Sequence, residues 1–349
     1  MAFPKASGYS NLPNGNFSPV IYSKKVQLAL RKESIVEGIT NTDYMGEIGS
    51  MGDSVRIMKE PTITVSDYKR GTAMASQDLA DTDFSLVIDQ ANAFQFQVDD
   101  IETQHSHHNF ISLATDNAAY KLKDAFDQNV LGYLAGYDWG GSSWAARTAP
   151  AGTKADAAAG ADELLAANKI DAATFGGTAG NSLPLAAGGG SGAITSPLAM
   201  LNRIARQMDQ ANVATEDRWF VADPVFYELL MDENSKLINN DFAGGQDAGD
   251  VLRNGRVVSG LIRGFKVYKS NNLPYAGTGA GTVDADGSDA NFGVVVAGHQ
   301  SAVATAQQIS KTESFRSPDT FADVVRGMNL FGRKILRPEC LFTAEYNVA

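Results

Sequence analysis

The chain has 349 residues, 44% of them apolar and 20% charged, with 34 glycines. That composition is globular, excludes wholesale disorder and, at roughly 150 residues per domain, leads us to expect two domains. Lys and Arg number 29 against 40 Asp and Glu, a net charge of −11, which argues against a protein that grips nucleic acid by counterion release. No stretch approaches the ~18 uninterrupted apolar residues of a membrane span, and the opening from Met1 to Gly8 has no apolar signal core. The chain therefore reads as soluble, with no export address and no membrane partner. The single cysteine, Cys340, excludes an internal disulfide and a multi-thiolate zinc site, and reads as a small buried apolar residue.

In chain order, the first regular signals are Ser54-Val55-Arg56-Ile57-Met58 and Thr62-Ile63-Thr64-Val65, two strand-like runs separated by Pro61, which confines the break to an edge or a bend. They are expected to pair with the 84–98 region. Between them lies a polar tip carrying Lys69, Arg70, Gly71, Gln77, Asp78, Asp81 and Asp83, with too few apolar residues for a core of its own. Residues 59–93 thus read as a long projecting hairpin. A two-stranded ribbon is marginal alone in water, so it must lie on its own subunit or on a neighbour.

Phe94, Phe96 and Val98 alternate with Gln95 and Gln97, the period of a strand with one buried face. From Asp99 the spacing changes. Ile111, Ala114, Ala118, Leu122 and Ala125 fall on one side of a helix expected over 99–131, a rod of about 50 Å. Residues 132–195 turn to Ala and Gly and read as loop-rich surface with one short helix near 161–168. Ser196-Pro197 is a cap followed by a first-turn proline, with Leu198, Leu201, Ala205 and Met208 repeating at helical spacing. Asp223-Pro224 is a second such start, directly after the strand-like Arg218–Ala222, and a strand followed tightly by a helix indicates a mixed α/β region. Residues 292–296 and 322–346 are strand-rich, with Cys340, Phe342, Ala344 and Tyr346 in alternation.

The search for chemistry returns little. His105, His107 and His108 lie near the expected helix start with Glu102, an arrangement that a metal-dependent enzyme would need to complete with further ligands; the favoured reading is a polar helix start, helped by Asp99 and Asp100 at its positive end. Gly188-Gly189-Gly190-Ser191-Gly192-Ala193 satisfies a dinucleotide-loop pattern but has no apolar strand before it. Asp284-Ala285-Asp286-Gly287-Ser288-Asp289 puts its glycine one place early for a calcium loop and lacks the closing Glu. No phosphate-binding loop, serine elbow or zinc-protease helix motif occurs. No catalytic, metal or cofactor-binding residue is assigned, and the chain does not read as an enzyme. The basic clusters, Lys24-Lys25 with Arg31-Lys32 and Arg326, Arg333, Lys334 and Arg337 among Asp319, Asp323 and Glu339, read as solvated or ion-paired surface.

Several separated segments, in order, resemble the major capsid (coat) protein family of tailed bacteriophages. Asn16-Phe17-Ser18-Pro19 with Ser23-Lys24-Lys25 and Leu28-Ala29-Leu30 is similar to that family's passage from arm to first helix. Asp43-Tyr44-Met45-Gly46-Glu47-Ile48 and Gly52-Asp53-Ser54-Val55-Arg56-Ile57 resemble its entry into the extended loop. Residues 218–224 and 264–274 resemble its axial-domain strands, and residues 297–302 and 323–327 its closing segment.

The resemblance implies an α+β capsid fold with an N-terminal arm (1–19), a peripheral domain with a long spine helix (20–58, 94–136 and 300–349), an extended loop (59–93) and an axial domain (137–299) containing the Gly/Ala-rich insertion. It implies self-assembly into pentamers and hexamers of an icosahedral head that encloses double-stranded DNA without reading its sequence, in a virion assembled in the host cytoplasm. A portal is implied as a partner, a decoration protein is allowed, and the short arm leads us to expect a separate scaffolding protein. An encapsulin-like compartment shell shares the fold and is the alternative. The expected intersubunit contacts are Lys69, Arg70, Asp78, Asp81, Arg326 and Arg333.

Overall fold

A computed structural model describes residues 34–44, 54–58, 63–65, 67–71, 76–78, 83–100, 110–139, 144–146, 164–178, 182–186, 188–190, 194–232, 262–276, 292–318 and 320–348. A one-turn helix, α1 (Val36–Ile39), precedes the antiparallel ribbon strands β1 (Ser54–Met58) and β2 (Asp83–Val87), in which Ser54 faces Val87 and Met58 faces Asp83. The next strand, β3 (Gln90–Asp99), leaves the ribbon and pairs elsewhere, so only the first part of the expected 84–98 partner belongs to it. Thr62–Val65 was expected to extend the ribbon as strand, yet 63–65 has no regular structure and its side chains are exposed.

The long helix α2 (Phe110–Ala135) spans 26 residues, about 39 Å at 1.5 Å per residue. It runs beyond the expected end at residue 131 and stops at Gly136, whose φ of 86° is the left-handed geometry that closes helices. Gly132 does not break it. A Cβ there would lie 2.6 Å from the Trp144 ring and 2.7 Å from the Tyr137 carbonyl oxygen, so this glycine serves close approach by the hairpin of β4 (Tyr137–Trp139) and β5 (Trp144–Ala146).

The Ala/Gly-rich region supplies two sheet strands that composition hid, β6 (Lys169–Ile170) and β7 (Leu183–Leu185). Ile170, Leu183 and Leu185 are fully buried, and Asn168 Nδ2 donates to the carbonyls of Pro338 (2.8 Å) and Leu341 (3.0 Å). A few apolar anchors and one buried amide thus dock a stretch with no periodicity of its own. The short helix expected near 161–168 is a single 3-10 turn over Ala166–Asn168, with 161–163 outside the described residues.

Both proline-started helices occur where expected: α3 (Pro197–Gln210), with Ser196 Oγ accepting from the Ala199 amide at 3.3 Å, and α4 (Pro224–Met231) after β8 (Arg218–Ala222). Then follow β9 (Lys266–Lys269), β10 (Tyr275–Ala276), β11 (Phe292–His299), β12 (Val303–Arg316), β13 (Ala322–Ile335) and β14 (Leu341–Val348). β12 was not expected. Its second half is exposed at nearly every position, so neither alternation nor an apolar run marks it.

Among the described residues two larger sheets form. A seven-stranded mixed sheet runs β6-β14-β11-β8-β9, with β7 also on β14 and β10 also on β11. A three-stranded antiparallel sheet runs β12-β13-β3. β14, the tail of the 300–349 segment, therefore sits in the large sheet rather than beside β13. β8, flanked by β11 and β9, is buried along its whole length, and Trp219–Ala222 within it form a continuous apolar run. Around it Phe220 and Phe226 have ring centroids 5.3 Å apart, and Phe226 and Tyr346 meet at 5.6 Å. Phe126 of α2 meets Phe331 of β13 edge to face at 4.9 Å, joining helix to small sheet. No described helix is long and apolar enough to cross a membrane.

Candidate intersubunit contact surface

The ribbon has a supported base and an uncovered tip. At the base, Leu86 is fully buried and packs with Ile88, Ala304, Ala306 and Leu336, while Val55, Ile57 and Leu330 lie against the same cluster. The backbone comes equally close: a Cβ on Gly332 of β13 would lie 2.4 Å from the Val87 carbonyl oxygen. So the base rests on the chain's own small sheet.

Beyond Met58 and Asp83 that support ends. Met58 is 79% exposed, Val65 93%, and Ile63 and Tyr68 about as open as each other at 67% and 68%. Lys69, Arg70 and Asp78 are exposed beside them, with Gly71 turning at φ 89°. The Thr64 amide donates to Gln77 Oε1 at 3.1 Å across the tip. Asp81 lies outside the described residues. Burying an Ile, Val or Met side chain stabilises by about 1.5–3 kcal/mol, so a tip that leaves these in water has most of its apolar energy still to gain.

A second projecting end is the turn between β12 and β13. Phe321 there is 80% exposed, and its carbonyl accepts from the Asp100 amide at 3.0 Å. Arg316 grips the Asp100 carboxylate with both guanidinium nitrogens and reaches Asp323 at 3.5 Å. The Arg316 hydrogen bond holds the Asp100 carboxyl below its ordinary range. Farther along, Arg326 donates to Glu313 at 2.9 Å and lies 5.0 Å above the Phe315 ring. Arg333 points the other way: it donates to the Asn129 carbonyl of α2 and stacks 4.8 Å from the Tyr133 ring. Of the candidate contact residues, then, Lys69, Arg70 and Asp78 share one exposed tip, Arg326 lies on the small sheet paired within its own chain, and Arg333 fastens sheet to helix. Sequence reasoning missed Tyr68 and Phe321, single aromatics without periodicity, for which no pattern existed to read.

The histidine cluster at 105–108 and the acidic run at 284–289 lie outside the described residues. Among the described residues no group of three metal-ligating side chains converges.

No family model matches the chain, and no curated protein sequence does. Solved structures do. A chain from Mycobacterium phage Che8 is 23% identical with a TM-score of 0.66, covering 94% of this chain and 97% of its own. The capsid structure of the cyanophage P-SCSP1u matches at 22% identity and a TM-score of 0.62, over 95% of this chain and 93% of that one. The capsid of Ralstonia phage GP4 matches at 14% identity and a TM-score of 0.63, covering 98% and 99%.

The chain has the tailed-phage capsid fold. Its α+β layout, with a projecting ribbon, a long helix and a small sheet of long strands beside a larger mixed sheet, is that capsid fold expressed in this sequence. Among the described residues, the ribbon tip and the β12–β13 turn leave large apolar side chains exposed at the ends of projections.

Proposed function

We propose that this chain is a structural major capsid protein that assembles with copies of itself into pentamers and hexamers of an icosahedral head around double-stranded DNA. The observation that carries the reading is the ribbon: its base packs on its own subunit, its tip carries Met58, Ile63, Val65 and Tyr68 in water, and the chain matches capsid structures over nearly its whole length. In this reading the small sheet, α2 and the ribbon base make up a peripheral domain; the large sheet, including β14, makes up an axial domain; and residues 1–19 form an arm. Lys69, Arg70, Asp78 and Asp81 at the tip, with Arg326 and the Phe321 turn, make the contacts between copies. The function is structural rather than catalytic. A separate scaffolding protein and a portal act with it, and the product is a virion built in the host cytoplasm.

Electron microscopy of the full chain, expressed with and without a candidate scaffolding protein, tests this. Closed particles of uniform size are expected. A monodisperse monomer under every condition, with the ribbon protected from proteolysis by its own subunit, overturns it; closed shells packed with an enzyme instead of DNA assign the chain to a compartment.

A further inference from the structure

Two crossings, running side by side, carry the chain between the large and small sheets. The outgoing one is a 3-10 turn, Gln300–Ala302, from β11 to β12; the return passes through Pro338–Cys340, from β13 to β14. The amides of Leu336 and Arg337 both donate to the Ala302 carbonyl, at 2.8 and 3.2 Å, and the Gln300 amide donates to the Asp217 carbonyl at 3.3 Å. A loosened outgoing crossing would therefore slacken the return as well.

His299 caps the outgoing turn. Its Nδ1 lies 3.2 Å from the Ser301 amide and 2.8 Å from the Ser301 hydroxyl. An amide nitrogen can only donate, so Nδ1 is the acceptor, it carries no proton, and the hydroxyl donates to it as well. An imidazolium has no lone pair to offer the amide, and it keeps the hydroxyl only if that group turns round to accept from Nδ1–H. The ring is half-buried. Facing it are the Asp217 carboxylate and the Glu216 backbone from the turn before β8, Arg218 from β8 and Arg337 from the return crossing; Lys266 of β9 holds Asp217 at 2.7 Å. Burial pushes the imidazole below its ordinary value; Asp217 and a hydrogen bond to the Glu216 backbone oppose this, and Arg218 and Arg337 reinforce it.

We propose that His299 is a proton-sensitive latch on the crossing between the two sheets: the neutral ring holds residues 299–302 as a capped turn, and the imidazolium releases it. The sign follows from linkage. A histidine whose folded value is depressed contributes stability that is complete above its unperturbed value of about 6.5 and is lost as pH falls toward the depressed one. Within that window the opening equilibrium rises by up to about tenfold per pH unit.

Hydrogen exchange of the full chain, read by mass spectrometry on peptides covering 299–305 and 333–340, tests the latch. After correction for intrinsic exchange, protection of both peptides is expected to fall by up to about tenfold per pH unit below about pH 6.5. In H299N the side-chain Oδ1 takes the place of Nδ1 as a good, non-titrating cap, and the profile becomes flat. A variant with His105, His107 and His108 replaced by Gln retains only His299 of the chain's four histidines and keeps the slope. A flat wild-type profile overturns the proposal, as does a slope that survives in H299N. If H299N fails to fold, the triple variant decides alone, because a flat profile there removes His299 as the source.

Discussion

At the scale of the residue, the buried carboxylates stand out. Asp127 of α2 is fully buried and accepts from the Ser34 hydroxyl at 2.7 Å and the Ile35 amide at 3.0 Å, clasping the start of the described chain to the long helix. Asp223, before α4, accepts from the Tyr346 hydroxyl at 2.6 and 2.7 Å, linking the helix start to β14. Burial pushes both carboxyls above their ordinary value, and the hydroxyl partners oppose that. A raised folded value means that the group's contribution is complete below the unfolded value of about 4 and is lost as pH rises through the folded one. Tyr346→Phe deletes the donor that eases ionisation of Asp223. The expected cost at neutral pH is about 1.5–3 kcal/mol, the range for hydrogen bonds to charged groups. The cost should shrink on acidification, once Asp223 is protonated in the fold. Urea denaturation of variant and parent at neutral and acidic pH measures this. An equal penalty at both would mean that Asp223 is already neutral at pH 7.

At the scale of the element, what could be read from the sequence depended on whether residues nearby in the chain supply the whole environment. The helix at Ser196-Pro197 was legible because a cap, a first-turn proline and an apolar stripe all lie within a few residues, and the one at Asp223-Pro224 because its first-turn proline directly follows a strand-like run, although Asp223 makes no cap hydrogen bond. β8 was legible as a strand-like run, Arg218–Ala222, directly before a helix start. The end of α2 was misread because Gly132 looks like a breaker, and only the Trp144 ring across the turn explains a glycine there. β6 and β7 were hidden because their burial is set by β14, more than 150 residues away in sequence. β12 was hidden because its outer half has no burial to pattern. The ribbon is the intermediate case: its existence was legible from a polar tip between strand-like runs, but the division at Met58 and Asp83, base on the small sheet and tip in water, needed Gly332 and Leu86 in place. That division sets the expectation for reversing the tip charges. K69E/R70E changes only exposed side chains far from the Leu86 cluster, so the subunit should keep its fold and melting temperature while closed shells fail to form. Circular dichroism with electron microscopy of the same preparation reads both; normal shells from the double variant would remove these cations from the contact.

At the scale of the whole molecule, charge decides how the proposed shell treats its contents. Each subunit carries −11, and several of its described cations are held by carboxylates of the same chain. Arg218 is buried against Asp209 at 2.7 Å, Lys266 holds Asp217, Arg316 holds Asp100, Arg326 holds Glu313, Lys123 meets Glu37 at 3.3 Å and Lys169 meets Glu345 at 3.7 Å. A cation already paired neutralises no phosphate without first giving up its partner, and counterion release scales with the number of phosphates newly contacted. Like-charged subunits also repel within a screening length of about 8 Å at physiological ionic strength, so the attraction that closes a shell must be short-ranged, from apolar burial and contact ion pairs, as the side chains at the ribbon tip and the β12–β13 turn allow. Both arguments lead to a wall that encloses DNA without adhering to it. Emptied shells titrated with double-stranded DNA should therefore bind weakly at low salt and release it at physiological salt, with a shallow dependence of affinity on salt because few phosphates are contacted. Tight retention at physiological salt would require a basic surface formed on assembly from residues that the single chain keeps apart, and would replace the inert wall with an adhesive one.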